Sequence, residues 1–279
     1  MLVILFRVLS HLPLPFLHLC GALAGRLTYR ISSSYRNCLN QNIQRAGFSA
    51  DLPAAIREAG KNICELPFIW CARPERVLAT AEVEDWSVAQ AAFAEGRGVI
   101  FLTPHLGCFE IIAQVIAARM PLTALYRPPR KAALRPLIEG ARRRPNLILA
   151  PANLRGVRTL LKALKAGGAT GLLPDQVPQN GEGVWADFFG KPAYTMTLSA
   201  KLHRMTGAPI IVTYAERRPH GRGYIVRFAR FDAALTDDPL QQAQAINCAM
   251  EALIERCPAQ YFWGYNRYKT PAGATGHGT

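Results

Sequence analysis

His105 and Glu110 stand five positions apart in GVIFLTPHLGCFE (98–110), and their types suit acid–base work. A carboxylate that accepts a hydrogen bond from one imidazole nitrogen fixes the tautomer and stabilises the imidazolium. The other nitrogen is then placed to take a proton from a hydroxyl. Such a pair carries no nucleophile of its own, so the attacking oxygen must come with the substrate. Two rival chemistries start from the same stretch. Cys108 could act as a thiol nucleophile beside His105, but its neighbours are apolar and no second orienting group is evident. A serine hydrolase would be expected to show a G-x-S-x-G elbow, and the chain has none. The plainest alternative is a loop histidine satisfied by backbone.

Five residues along a regular helix turn the side chains about 140° apart, so the pair cannot sit on one helix. The spacing works if GVIFLT is a strand that delivers His105, Gly107 turns the chain, and a new helix brings Glu110 back behind the imidazole. The surrounding pattern agrees. Strands are expected over 98–103, 121–126, 146–149, 169–173, 208–216 and 223–231. Helices are expected over 51–70, 85–98, 107–119, 132–143, 154–166, 195–206 and 237–256, with a long loop over 174–194. Alternating strands and helices imply βαβ units: an α/β fold with a mainly parallel central sheet and helices on both faces. Ligands in such sheets sit beyond the carboxyl ends of the strands, where His105 falls.

Half of the 279 residues are hydrophobic, which excludes a disordered chain. The net charge is +14. Between Tyr126 and Lys165 there are eleven Lys or Arg against one acid, Glu139. That concentration points to an anionic partner. Only Tyr126 is aromatic in this window, which argues against single-stranded nucleic acid. A non-catalytic basic module that binds a membrane surface is the reading from another class. The seven cysteines include no metal-type spacing and fit a reducing compartment. Val8 to Gly25 is an 18-residue stretch without a charged side chain, the lower limit for a span. Arg26, Arg30 and Arg36 follow it and would keep the body cytoplasmic. Residues 1–30 are therefore expected to form an N-terminal membrane anchor, spanning the bilayer or lying in its interface, and residues 31–279 the globular domain.

The block HLGCFE after a hydrophobic strand has the form H-x4-E. With LYRPPRKAALRPLIEGARRR, GLLPDQVPQNGEGVWADFFGKPA and PAQYFWGYNRYKT following in order, the chain resembles the lipid A late acyltransferases of the glycerolipid acyltransferase superfamily. The resemblance implies a glycerolipid-acyltransferase-like fold and an O-acyltransferase at the cytoplasmic face of the inner membrane. It implies a fatty acyl group moving from acyl carrier protein to a hydroxyl of a lipid A precursor in lipopolysaccharide biosynthesis. The acyl thioester would be a co-substrate, with no metal or other cofactor. His105 would be the general base and Glu110 its partner. Arg142 would match a functionally important arginine and Asp175 an acidic position tied to activity, with Arg127 following a strand in the second block. Arg142 could clamp a phosphate bidentately, and Asp175 could hold Arg142 or orient a sugar hydroxyl. Ordinary readings compete: Arg142 as part of the solvated run Arg142–Arg144, and Asp175 as a loop cap. Trp185, Phe188 and Phe189 could line an acyl-chain tunnel or pack in the core. The C-terminal WGYNRYK receives no catalytic role. The same chemistry on a lysophospholipid, an ornithine lipid or a mannosylated lipid is the nearest alternative.

Overall fold

The computed structural model describes residues 2–128, 139–140 and 144–274. The chain opens with helices α1 (Leu2–Leu9), α2 (Leu14–Ile31), α3 (Ser33–Arg45), α4 (Leu52–Cys64), α5 (Leu66–Cys71) and α6 (Pro74–Leu78). Strands and helices then alternate: β1 (Ala81–Glu84), α7 (Trp86–Ala94), β2 (Val99–Leu102), α8 (Phe109–Ala117), β3 (Leu122–Tyr126), β4 (Leu147–Pro151), α9 (Leu154–Lys165) and β5 (Ala169–Leu172). A hairpin of β6 (Gly183–Phe188) and β7 (Lys191–Met196) follows, then α10 (Leu198–Thr206), β8 (Ile210–Arg217), β9 (Tyr224–Arg230) and α11 (Pro239–Ile254).

The main sheet has the order β1-β9-β8-β2-β5-β3-β4. Strands β8, β2, β5, β3 and β4 are mutually parallel. Strand β9 runs antiparallel to β8, and β1 lies parallel to β9 at that edge. The sheet is thus mainly parallel, as the alternation of elements implied. Every residue of β2 is buried, as a strand covered on both faces requires. Its side chains alternate: Val99 and Phe101 join a core with α2, α5, α7 and α8, whereas Ile100 and Leu102 join a second core with α3, α9, α10 and α11. Helices flank both faces.

The expected loop over 174–194 holds a strand pair instead. The connection between β6 and β7 is Phe189-Gly190, both at positive φ, the backbone of a tight two-residue hairpin turn. The expected helix over 132–143 lies outside the described residues apart from Glu139 and Gly140.

No helix among the described residues is long and apolar enough to cross a membrane. The spanning form of the anchor is therefore not found. The apolar N-terminus is broken between Leu9 and Leu14, with Pro13 preceding α2. The Arg76 guanidinium fastens the break by donating to the carbonyls of Ser10, His11 and Leu12. Helix α2 lies along α4 with backbones in contact: a Cβ on Gly25 would strike the Ile56 carbonyl, and one on Gly60 the Gly21 carbonyl. Leu14, Leu17, His18, Gly21 and Gly25 face inward on α2.

Candidate active site

The carboxyl ends of β2, β3, β4 and β5 open onto a cavity of about 320 Å³. His105, Glu110, Arg127 and Gln176 line it together with the apolar side chains of Phe109, Leu125, Leu149 and Met196. His105 lies three residues beyond β2 and its side chain is 16% exposed. The turn behind it is built by Gly107, whose φ is +57° and whose Cβ would collide with the Ala215 carbonyl oxygen. Glycine is the residue that allows both the left-handed backbone and the close approach.

Asp175 reaches the imidazole from the neighbouring strand end. Its Oδ1 accepts from His105 Nδ1 at 2.7 Å, and its Oδ2 accepts from the His105 backbone N–H at 2.8 Å. Burial alone would raise the Asp175 carboxyl, but electrostatic attraction to His105 and the two hydrogen bonds from it, with Arg267 nearby, hold it below its ordinary value. An ionised carboxylate only accepts hydrogen bonds, so Nδ1 carries the proton. With that proton on Nδ1, the other ring nitrogen, Nε2, accepts from Gln176 Nε2 at 3.0 Å.

This corrects the expected pairing. Helix α8 begins at Phe109, so Glu110 sits in its first turn and accepts from Trp70 Nε1 of α5 at 3.0 Å. Asp175, and not Glu110, is the carboxylate hydrogen-bonded to the imidazole. The two carboxylates are both part of the site: one behind the histidine, the other in the cavity wall. Arg127 lies exposed at the cavity. Arg142 lies outside the described residues. Phe188 is buried in the core with Phe189, Tyr261 and Trp263, so the apolar lining comes from β3, β4, α8 and Met196 of β7 rather than from the 185–189 segment. The Cys108 thiol is fully buried and burial pushes it well above its ordinary value, which removes the thiolate a nucleophile needs.

The C-terminal block supports the site from behind. Phe262 N–H donates to the His105 carbonyl, Gly107 N–H to the Gln260 carbonyl, and Val177 N–H to the Tyr265 hydroxyl. Arg267 is buried and donates to the Tyr194 carbonyl and the Thr195 hydroxyl. This block received no catalytic role from sequence, and its supporting role was hidden because its bonds reach backbone and side-chain atoms of distant segments.

Chemically, the arrangement is an imidazole with a fixed tautomer, an acceptor nitrogen turned to a largely apolar cavity, and a cation at the cavity's edge. The family model described as bacterial lipid A biosynthesis acyltransferase matches residues 1–270. The chain is 28% identical over 221 residues to the lipid A biosynthesis palmitoleoyltransferase of Escherichia coli (strain K12), covering 78% of this chain and 71% of that protein. It is 24% identical over 276 residues to the lipid A biosynthesis lauroyltransferase of the same organism, covering 93% and 87%. A lipid A biosynthesis acyltransferase of Haemophilus influenzae is 26% identical over 175 residues, covering 62% and 54%. With the match running through every element around the cavity, the chain belongs to the bacterial lipid A biosynthesis acyltransferases and is an acyltransferase.

Proposed function

We propose that this acyltransferase moves a fatty acyl chain from acyl carrier protein to a hydroxyl of a lipid A precursor, at the cytoplasmic surface of the inner membrane. The observation that carries the reading is the His105 ring, with its proton held on Nδ1 by Asp175 and Nε2 turned to the cavity. Nε2 takes the proton of the acceptor hydroxyl as its oxygen attacks the thioester carbonyl. The tetrahedral adduct collapses, the C–S bond breaks, and the leaving thiolate recovers the proton from the imidazolium. Asp175 stabilises that imidazolium throughout. A thioester is already activated, so neither metal nor cofactor is needed.

The acceptor hydroxyl is the 3-hydroxyl of an acyl chain already on the precursor. The acyl chain occupies the cavity beside Phe109, Leu125, Leu149 and Met196. Arg127, with Arg142 as a second cation, meets phosphate on the acceptor. Glu110 is the second acid of the site, held by Trp70. The basic window suits both acidic partners, the carrier protein and the phosphorylated glycolipid. A His105→Ala variant is expected to lose transfer from acyl carrier protein to a lipid A precursor by roughly 100-fold or more. In cells lacking the protein, mass spectrometry is expected to show lipid A lighter by one acyl group. Near-parental rates for the variant would overturn the base, and unchanged lipid A with altered phospholipids would move the acceptor to another lipid.

A further inference from the structure

The attack leaves a negative charge on the former carbonyl oxygen, and that charge needs a donor. The backbone amides beside the base are already committed. His105 N–H bonds Asp175, Leu106 N–H the Pro104 carbonyl, Gly107 N–H the Gln260 carbonyl and Cys108 N–H the Ala215 carbonyl. The amides of residues 105–108 therefore supply no backbone oxyanion hole. Among the described residues, the side-chain amide of Gln176 is the donor at the reacting nitrogen, 3.0 Å from His105 Nε2. It occupies the position an acceptor hydroxyl must take to hand over its proton. Arrival of that hydroxyl breaks the Gln176–His105 bond and frees an N–H group beside the carbon under attack.

We propose that Gln176 is a further catalytic residue, whose carboxamide caps the base when the site is empty and donates to the thioester oxygen as charge builds there. The inference rests on the assignment of His105 as base. Its backbone is placed for the task. Asp175, the residue before it, is clamped to the histidine through two bonds, and Val177, the residue after it, donates to the Tyr265 hydroxyl. The side chain between them is only partly buried and keeps the freedom to swing from nitrogen to oxygen. No covalent bond to the protein forms in the step. The glutamine contributes a hydrogen bond that is weak to a neutral carbonyl and stronger to the developing oxyanion, so its effect falls on kcat rather than on KM.

The test is steady-state transfer by the full chain, with an acyl thioester on acyl carrier protein and a lipid A precursor, for Gln176→Ala and Gln176→Glu beside His105→Ala. The glutamate variant keeps the size of the side chain and removes the N–H donor. Both glutamine variants are expected to lose roughly 100- to 1,000-fold in kcat, with KM within about twofold of the parent. A Gln176→Ala kcat at or above the parental value, with His105→Ala inactive, would make Gln176 a mere plug and overturn the proposal while sparing the base. A raised KM at parental kcat would make it a binding residue and overturn the proposal equally. A parental rate for His105→Ala would instead sink the base assignment, and the donor role with it.

Discussion

At the scale of single residues, the structure gives the two carboxylates different partners: Asp175 bonds the His105 ring and Glu110 bonds Trp70. The place of His105 in the cavity wall was legible because a strand ending in Pro-His sets it beyond the carboxyl edge of a parallel sheet. Its partner was not, because Asp175 is distant in sequence and becomes a neighbour only through the pairing of β2 with β5. The register Leu102↔Leu172 puts His105 and Asp175 three residues past paired positions. The two strand ends read LTPH and LLPD, a likeness by which sequence alone can flag the pair. The distinction is testable. Asp175→Asn leaves an acceptor but no charge, so it loses both the tautomer preference and the stabilised imidazolium. Its kcat is expected to fall by about 100- to 10,000-fold, and Glu110→Gln by clearly less. Equal losses, or a larger one for Glu110→Gln, would return the partner role to Glu110.

At the scale of elements, the parallel strands and their helices were legible because hydrophobic periodicity and Gly-Gly or Pro boundaries mark them. The β6–β7 hairpin was missed because its turn is Phe-Gly, with Phe189 in a left-handed conformation that a bulky residue seldom takes. Burial of the preceding Phe188 and the packing of Phe189 on Phe48 and Trp263 hold it there. Equally hidden was the buried charge cluster that ties the N-terminal helices to the sheet. Glu65, after α4, accepts two bonds from Arg217 of β8, one from Tyr224 of β9 and one from His18 of α2. Burial by itself would raise the Glu65 carboxyl, but the Arg217 charge and hydrogen bonds, with those of His18, bring it down to about 2 from 4.5. A depressed folded value means that the carboxylate stabilises the fold fully above about pH 4.5, and that this contribution is lost as pH falls toward about 2. Acid titration followed by circular dichroism is expected to show this loss in the parent. Glu65→Gln removes that part of the slope and destabilises the protein at neutral pH by about 3–5 kcal/mol, because the Arg217 charge loses its main partner. Identical acid slopes for parent and variant would show that Glu65 is not the titrating group.

At the scale of the whole molecule, the apolar N-terminus was legible as a segment but not as a surface. Periodicity cannot say which side of a helix finds a partner when both sides are apolar. In the fold, α2 gives its inner side to α4 and the Glu65 cluster, and its outer side stays uncovered: Phe16, Leu19, Leu23 and Leu27 are all exposed. Ile4, Leu5 and Val8 of α1 and Ile63 of α4 are exposed as well. The apolar N-terminus joins the cavity through Phe6, which stacks on Trp70 of the cavity wall with ring centroids 5.9 Å apart. The proposed membrane contact would be made side-on by these helices, since no helix among the described residues is long and apolar enough to cross. Arg26, Arg30 and Arg36 would add attraction to anionic headgroups in that contact. Leu19 and Leu23 are 59% and 55% exposed, so replacing them removes little from the core. A double Leu19→Glu, Leu23→Glu variant is therefore expected to keep its melting temperature. It is expected to bind phosphatidylglycerol-containing vesicles at least about tenfold more weakly in sedimentation, since about 1.4 kcal/mol of lost burial and added repulsion suffices. The parent's binding is expected to weaken with salt and to drop on uncharged phosphatidylcholine vesicles. Transfer to a detergent-dispersed acceptor stays at the parental rate if the patch serves docking alone. Undiminished vesicle binding by the double variant would remove this surface from the membrane contact.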